Sequence, residues 1–155
     1  MKPPVLAVTL AAALALAAPA ASPMGDEVML NVNDMKWGAA PPVLPKGAKI
    51  AVLNGDPFKP GPYTLRLAAP ANYRIAPHWH SQTENLTILS GTLYLGMGDQ
   101  MSAETARAVK TGGYHYLPAK MHHYAFTKAP TVIQIQGEGP FDINYLDPKD
   151  NPVAQ

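Results

Sequence analysis

The sequence contains no cysteine, which removes disulfide staples, thiolate metal ligands and a cysteine nucleophile together. It also lacks any block of like charge: 12 basic residues stand against 11 acidic ones, for a net charge of +1. Nucleic acid wants clustered Lys and Arg, so that class of partner has no support. Long helices are excluded as well, because 17 prolines and 12 glycines punctuate the chain too often. There is no Gly-x-Ser-x-Gly elbow, no glycine-rich phosphate loop entering a helix, and no acidic run with calcium-loop spacing. The methionines are scattered, not gathered into a copper(I) tract, and core filling is their default role.

One long apolar run is present, Val5 to Ala18, preceded by Lys2 and followed by the small-residue site Ala18-Pro19-Ala20. This reads as a secretory signal peptide over 1–21, cut near Ala20 or Ser22. A membrane anchor fits less well, since the run is shorter than the roughly 20 residues a span needs. The expected location is therefore periplasmic or secreted, with no membrane span in the mature form. The absence of a twin-arginine pair suggests export unfolded, with any metal acquired afterwards. Behind this segment we expect an arm over 22–47, a single folded body over 48–147 and a flexible tail over 148–155.

The body is built from short runs with strand character: Lys49–Leu53, Tyr63–Ala68, Asn72–Ile75, Glu84–Leu89, Thr92–Leu95, Tyr114–Leu117, His122–Thr127, Thr131–Gln136 and Phe141–Leu146. Several alternate, as in "TVIQIQ", where Ile133 and Ile135 face one way and Gln134 and Gln136 the other. Ser90-Gly91 reads as a hairpin turn between two such runs. The only helix candidate is Ser102–Val109, opened by a serine cap. Many short strands with frequent turn signals predict an all-β sandwich or small barrel.

The stretch "PHWHSQTENLTILSG" carries the chemistry. On a strand, His78 and His80 project from one face and Trp79 from the other. Glu84 follows a turn-like "SQT" and can swing in from the next strand. Two imidazoles and a carboxylate suit a first-row metal, the plain alternative being an ordinary strand with polar residues. A further histidine is available in "GGYHYLPAKMHHYAFT".

Together these stretches resemble the two motifs of the cupin superfamily. His78, His80, Glu84 and Gly91 meet the positions of the first motif, with Asn72 in place of its opening glycine. Gly112, Pro118 and His123 meet the second, which departs from the usual pattern at Lys120 (glycine) and Thr127 (asparagine). The resemblance covers roughly Lys49 to Leu146. It implies a small, six- to eight-stranded double-stranded β-helix (jelly-roll-like) barrel, with one divalent transition metal (Fe, Mn, Cu, Ni or Zn) held by His78, His80, Glu84 and His123. The motif count selects His123 over its neighbour His122, and adjacent strand residues face opposite ways.

Other residues are less marked. Gln134 and Gln136 are candidates to line a substrate pocket, or else lie in solvent. Arg74 shares the parity of His78 and could clamp a carboxylate, or sit on a solvated rim. Tyr63, Tyr114, Tyr116 and Tyr124 could close a pocket. Trp79 reads as core or a dimer contact, and His115 as a packed or surface residue.

Three histidines and a glutamate leave positions open on the metal, as a catalytic site requires. The expected function is an oxygen-dependent oxidoreductase of dioxygenase or oxidase type, acting on a small enolisable or hydroxylated compound, with Glu84 also serving as general base. The alternatives are a Lewis-acid lyase, isomerase or decarboxylase, and a non-catalytic binding module. We also expect a homodimer with Asp26–Val43 as a swapped arm. After export, copper or zinc should compete with iron or manganese for the site.

Overall fold

Tyr63, Leu65, Leu67 and Ala69 are buried while the residues between them are partly exposed, the period-two signature of a strand with one face on a core. This pattern recurs along the chain. In the computed structural model, which describes residues 27–154, eleven strands form. They are β1 (Gly38–Ala39), β2 (Lys49–Asn54), β3 (Gly61–Ala69), β4 (Arg74–Trp79), β5 (Glu84–Ser90), β6 (Thr92–Met97), β7 (Arg107–Lys110), β8 (Tyr114–Leu117), β9 (His123–Thr127), β10 (Thr131–Gly139) and β11 (Asn144–Tyr145). One sheet runs β1-β2-β3-β10-β5-β8 and the other β11-β4-β9-β6-β7. Every pairing is antiparallel. The two sheets bury a shared apolar interior that includes Leu65, Leu67, Leu86, Leu95, Ile133 and Ile135. The all-β double-sheet barrel is thus as expected, with more strands than the six to eight implied. The expected signal peptide lies outside the described residues.

Two local expectations are corrected. Ser102–Val109 is not a helix: the chain turns through 103–105 and then forms β7. The reason is tertiary. Tyr124, fully buried, donates its hydroxyl hydrogen to the Ser102 carbonyl at 2.8 Å and lies 3.0 Å from the Thr105 hydroxyl. These contacts tie the segment down as a loop over the tyrosine, against its modest helical preference. Nor is Ser90-Gly91 a hairpin turn. β5 and β6 pair with different strands and enter different sheets, so the chain crosses between sheets there. Gly91 has φ +79°, and a Cβ on it would stand 2.6 Å from the Pro130 carbonyl oxygen.

The arm lies against its own barrel. Gly38 and Ala39 pair with Ile50 and Lys49, and Leu44 is buried. Tyr73 and Tyr145 donate hydroxyl hydrogens to the Pro45 and Val43 carbonyls, at 2.7 and 2.9 Å. At the other end, residues 148–150 form a 3-10 turn in which the Asp147 side chain accepts the Lys149 amide. Among the described residues, no helix is long and apolar enough to cross a membrane.

Gly96 faces Tyr124 across the β6–β9 ladder, and a Cβ there would stand 1.9 Å from Tyr124 Cζ and 2.1 Å from its hydroxyl. Overpacking of this kind costs about 1–3 kcal/mol, and loss of the buried hydroxyl contacts adds to it. Gly96→Ala should therefore destabilise the fold by about 3 kcal/mol in urea unfolding, whereas an unchanged midpoint would mean that Tyr124 is not held as described.

Candidate metal centre

β4 carries His78 on its inner face and delivers His80 one residue beyond its end; β5 opens with Glu84 and β9 with His123. His78 and His123 are direct partners across the β4–β9 ladder. All four residues are buried. The ring centroids are separated by 4.1 Å for His78–His123, 4.9 Å for His78–His80 and 5.1 Å for His80–His123. One nitrogen from each histidine lies within 4.8 Å of the others, close enough for a single ion to meet all three. Glu84 stands beside this trio, its carboxylate oxygen 3.6 Å from His80 Nε2.

The orientation of the rings is set from behind. His78 Nδ1 is 2.6 Å from the Ala76 carbonyl oxygen, His80 Nδ1 is 2.5 Å from that of Asp142, and His123 Nδ1 is 3.0 Å from that of Met121. A carbonyl oxygen only accepts, so each Nδ1 carries the hydrogen and each Nε2 is left with its lone pair for a ligand. This is the arrangement that metal-binding histidines use to fix tautomer and direction. Asp142 is itself clasped: its carboxylate accepts from the Ser81 amide at 2.8 Å, from the Ser81 hydroxyl at 2.5 Å and from Asn144 Nδ2 at 2.9 Å.

Burial lowers the pKa of His78 well below the ordinary value, with the neighbouring His123 and His80 adding to it. Burial likewise pushes His123 down to about 4, against the pull of its Met121 hydrogen bond. Burial raises Glu84, with His80 pulling back. A buried carboxylate beside three converging imidazoles, with no Lys or Arg lining the cavity they share, fits a divalent cation, which supplies the missing positive charge. The donor set is one for Fe, Mn, Cu, Ni or Zn rather than for the oxygen-seeking Ca or Mg.

The centre borders a cavity of about 50 Å³ inside the barrel. His80, Glu84 and His123 are its polar lining, and the rest is apolar, including Leu65, Leu86, Leu95, Ile133, Ile135 and Phe141. The Tyr63 phenol is buried near Glu84, with its pKa raised by burial and by that carboxylate. Tyr63, Gly137 and Glu84 lie in one row across β3, β10 and β5. Gly137 makes room, since a Cβ there would stand 3.0 Å from the Tyr63 hydroxyl.

The three suggested pocket residues lie elsewhere. Gln134 and Gln136 project opposite to the cavity-lining Ile133 and Ile135, and Gln134 accepts from Arg66 Nε at 3.3 Å on the outer face. Arg74 is exposed, with a guanidinium nitrogen 2.8 Å from Met101 Sδ. A bulge between Ile75 and His78 inserts one extra residue into β4, so even spacing no longer means a shared face. His122 turns outward to Asp99, with Nδ1 2.6 Å from the carboxylate. Tyr114 and Tyr116 are exposed, and Tyr124 is buried behind the sheet. Asn72 and Lys120, the two residues standing where the cupin motifs have glycine, adopt φ of 60° and 62°. The glycine-like turns survive without glycine, and the Lys120 amide bonds the His80 carbonyl at 2.8 Å. Sequence reasoning missed Asp142, because its contribution to His80 is a backbone carbonyl that any residue type could offer.

The family model described as "Domain of unknown function (DUF4437)" matches residues 6–144. The chain belongs to this family. No curated protein sequence matches this DUF4437 chain. Its fold, however, has many solved counterparts. The polyketide cyclase RemF from Streptomyces resistomycificus superposes with a TM-score of 0.63 at 17% identity, over 82% of this chain and 90% of that one. An acetylacetone dioxygenase from Acinetobacter johnsonii gives 0.60 at 15% identity, over 83% and 82%. An RmlC-like cupin from Ralstonia eutropha gives 0.59 at 22% identity, over 81% and 76%. At these identities the likeness is one of fold: the DUF4437 chain has the cupin fold.

His80→Ala and Glu84→Ala should each abolish stoichiometric metal binding while far-UV circular dichroism stays that of the parent; full metal occupancy in both would refute the ligand set. In metal-free protein, His78 and His123 gain protons near pH 6.5 when unfolded but only at lower pH when folded, about 4 for His123. Stability should then fall as pH drops through that window. Glu84, raised above 4.5, acts oppositely by losing stability as pH rises, but it is one group against two. Melting of chelator-treated protein should show a lower Tm at pH 4.5 than at pH 6.5, and a Tm that rises on acidification would contradict these environments.

Proposed function

We propose that this cupin is a metal-dependent oxidoreductase that uses O2 to oxidise a small, uncharged, enolisable compound. The observation that carries this reading is the pairing of a three-histidine cluster, with Glu84 buried beside it, and an apolar cavity that has no Lys or Arg in its lining. A carboxylate or phosphate substrate would find no cation there except the metal itself, and desolvating it would be costly. A small ketone or diketone needs no such partner. The acetylacetone dioxygenase among the structural neighbours acts, by its name, on a compound of this kind.

A divalent transition metal held by His78, His80, Glu84 and His123 would supply Lewis acidity toward an enolate oxygen and, when redox-active, a route for electrons to O2. The chain's own contribution starts with Glu84. As a carboxylate at the edge of the metal cavity, it is placed to take the proton alpha to a carbonyl. Leu65, Leu86, Ile133 and Ile135 keep water from the reacting end and strengthen every electrostatic contact there. Phe141, 5.6 Å from His80 between ring centroids, closes the wall beside the metal. The carbonyl of Asp142 holds His80 in place while the substrate binds.

A second reading keeps the metal as a Lewis acid only, giving lyase, isomerase or cyclase chemistry without O2. The buried base and the apolar cavity serve that chemistry equally well, and a polyketide cyclase shares the fold. We further take the protein to act after export, in line with its N-terminal segment, and to do so as a homodimer.

An oxygen electrode separates the two readings. Protein loaded in turn with Fe, Mn, Cu, Ni and Zn is mixed with acetylacetone as the probe. At least one redox-active form should consume O2, the zinc form should not, and Glu84→Gln should lower the rate about 100-fold or more. Conversion of the probe with no O2 uptake for any metal would replace the oxidoreductase reading by the Lewis-acid one.

A further inference from the structure

The metal cavity needs a way in, and its lining shows where the wall is thinnest. Most of the residues around it, such as Leu65, Leu86 and Ile133, are buried, and nearly all the rest are half-buried. Phe58 is the exception: it lines the cavity and is also 54% exposed. A ring with one side on an apolar chamber and the other in water makes up the whole wall at that point. Elsewhere the lining side chains are themselves covered by protein.

The backbone beneath Phe58 is fixed. The residue lies in the connection between β2 and β3, where the Asp56 carboxylate accepts the Phe58 amide at 2.9 Å and the Asp56 carbonyl accepts that of Lys59 at 3.2 Å. Lys59 closes the turn from outside, its Nζ 3.0 Å from the second Asp56 oxygen. Pro57 is fully buried, and its carbonyl accepts the Phe141 amide at 2.6 Å. Gly139 packs on the same turn, for a Cβ on it would collide with the Lys59 carbonyl oxygen. The arm's side of the cavity is pinned too, since Tyr73 and Tyr145 hold the Pro45 and Val43 carbonyls on either side of Leu44, another lining residue. What is left to move is the Phe58 side chain, which is half in solvent and can turn about χ1 without unfolding anything. The turn also stands near the metal ligands: Phe141, bonded to it, has its ring 5.6 Å from that of His80.

We propose that Phe58 is the door of the metal cavity and sets the size of the uncharged molecule that reaches the metal. Its ring offers a charged molecule no compensation for lost water at the entrance. Behind it, about 50 Å³ leaves room only for a short chain while the door is shut. The proposal rests on the reading of this cavity as the substrate site, and it holds for redox and Lewis-acid chemistry alike. A door changes how fast a ligand enters and leaves by the same factor in each direction, whereas a wall contact changes the affinity.

Stopped-flow absorbance of the cobalt(II)-loaded protein under argon tests this, because the visible bands of cobalt report ligand binding without turnover. The probes are acetylacetone, its bulkier analogue benzoylacetone, and imidazole in its neutral form, a ligand for any open position on the metal. Phe58→Ala should raise the association and dissociation rates of acetylacetone and imidazole together, about tenfold or more, and leave each Kd within about twofold. It should also bind benzoylacetone at least about tenfold more tightly than the parent does, because the ring no longer blocks the phenyl group. Phe58→Trp should slow the entry of every probe. Unchanged association rates in Phe58→Ala would overturn the proposal, as would a raised Kd with association unchanged. Imidazole binding without acetylacetone binding in every form would remove the diketone reading alone, and the imidazole rates would still decide for or against the door. A parent that takes up no cobalt would remove the centre and the door with it.

Discussion

Three imidazole N–H groups held by three backbone carbonyls are the constraint on which the centre depends. The acceptors come from three different places: Ala76 two residues before His78, Met121 two residues before His123, and Asp142 far along the chain from His80. Two of the histidines are thus oriented by backbone two residues away, and only His80 needs a distant segment. That segment is secured by Ser81, the residue next to His80, whose amide and hydroxyl both bond the Asp142 carboxylate. The ligand and its support are therefore locked to each other. With Nδ1 occupied, each Nε2 is free to face the same small volume, and Glu84 is buried beside His80. No Lys or Arg in the cavity lining balances that carboxylate.

The surrounding barrel gives this centre its selectivity. Side chains alternate along each strand, so the residues lining the cavity are those that form the hydrophobic core, and function and stability draw on the same leucines and isoleucines. Polar groups are admitted at one end, where β4, β5 and β9 bring the ligands together. Gly137 between Tyr63 and Glu84 is part of that end, because a side chain there would press on the phenol. Beyond Leu95 lies a separate groove bordered by Arg107, Lys110 and His115. One barrel wall thus separates an apolar chamber beside the metal centre from a cationic groove.

The ligands were legible from sequence because a metal site needs particular side chains at particular strand spacings. His78, His80 and His123 come together as that spacing implies, with Glu84 buried beside His80. The outward turn of His122 follows from simple alternation. Glutamines 134 and 136 could also have been placed, since Ile133 and Ile135 between and beside them announce which face is core. Arg74 could not: the bulge ahead of His78 shifts the register by one residue, and only the pairing with β9 shows it. The 102–109 segment was misread because its fate is decided by Tyr124, a contact made across more than a dozen residues of chain. The crossing at Gly91 and the carbonyl of Asp142 leave no distinct mark on side-chain identity. What the sequence displays is chemistry that demands a residue type; geometry supplied by the backbone stays hidden until the fold is known.

The most direct test of the central claim is X-ray absorption spectroscopy at the metal edge of the loaded protein. The structure predicts three imidazole nitrogens at about 2.0–2.2 Å, with the outer-ring scattering that identifies histidine, and at least one oxygen attributable to Glu84. A spectrum of oxygen neighbours alone, lacking imidazole scattering, would show the metal bound elsewhere and contradict the account.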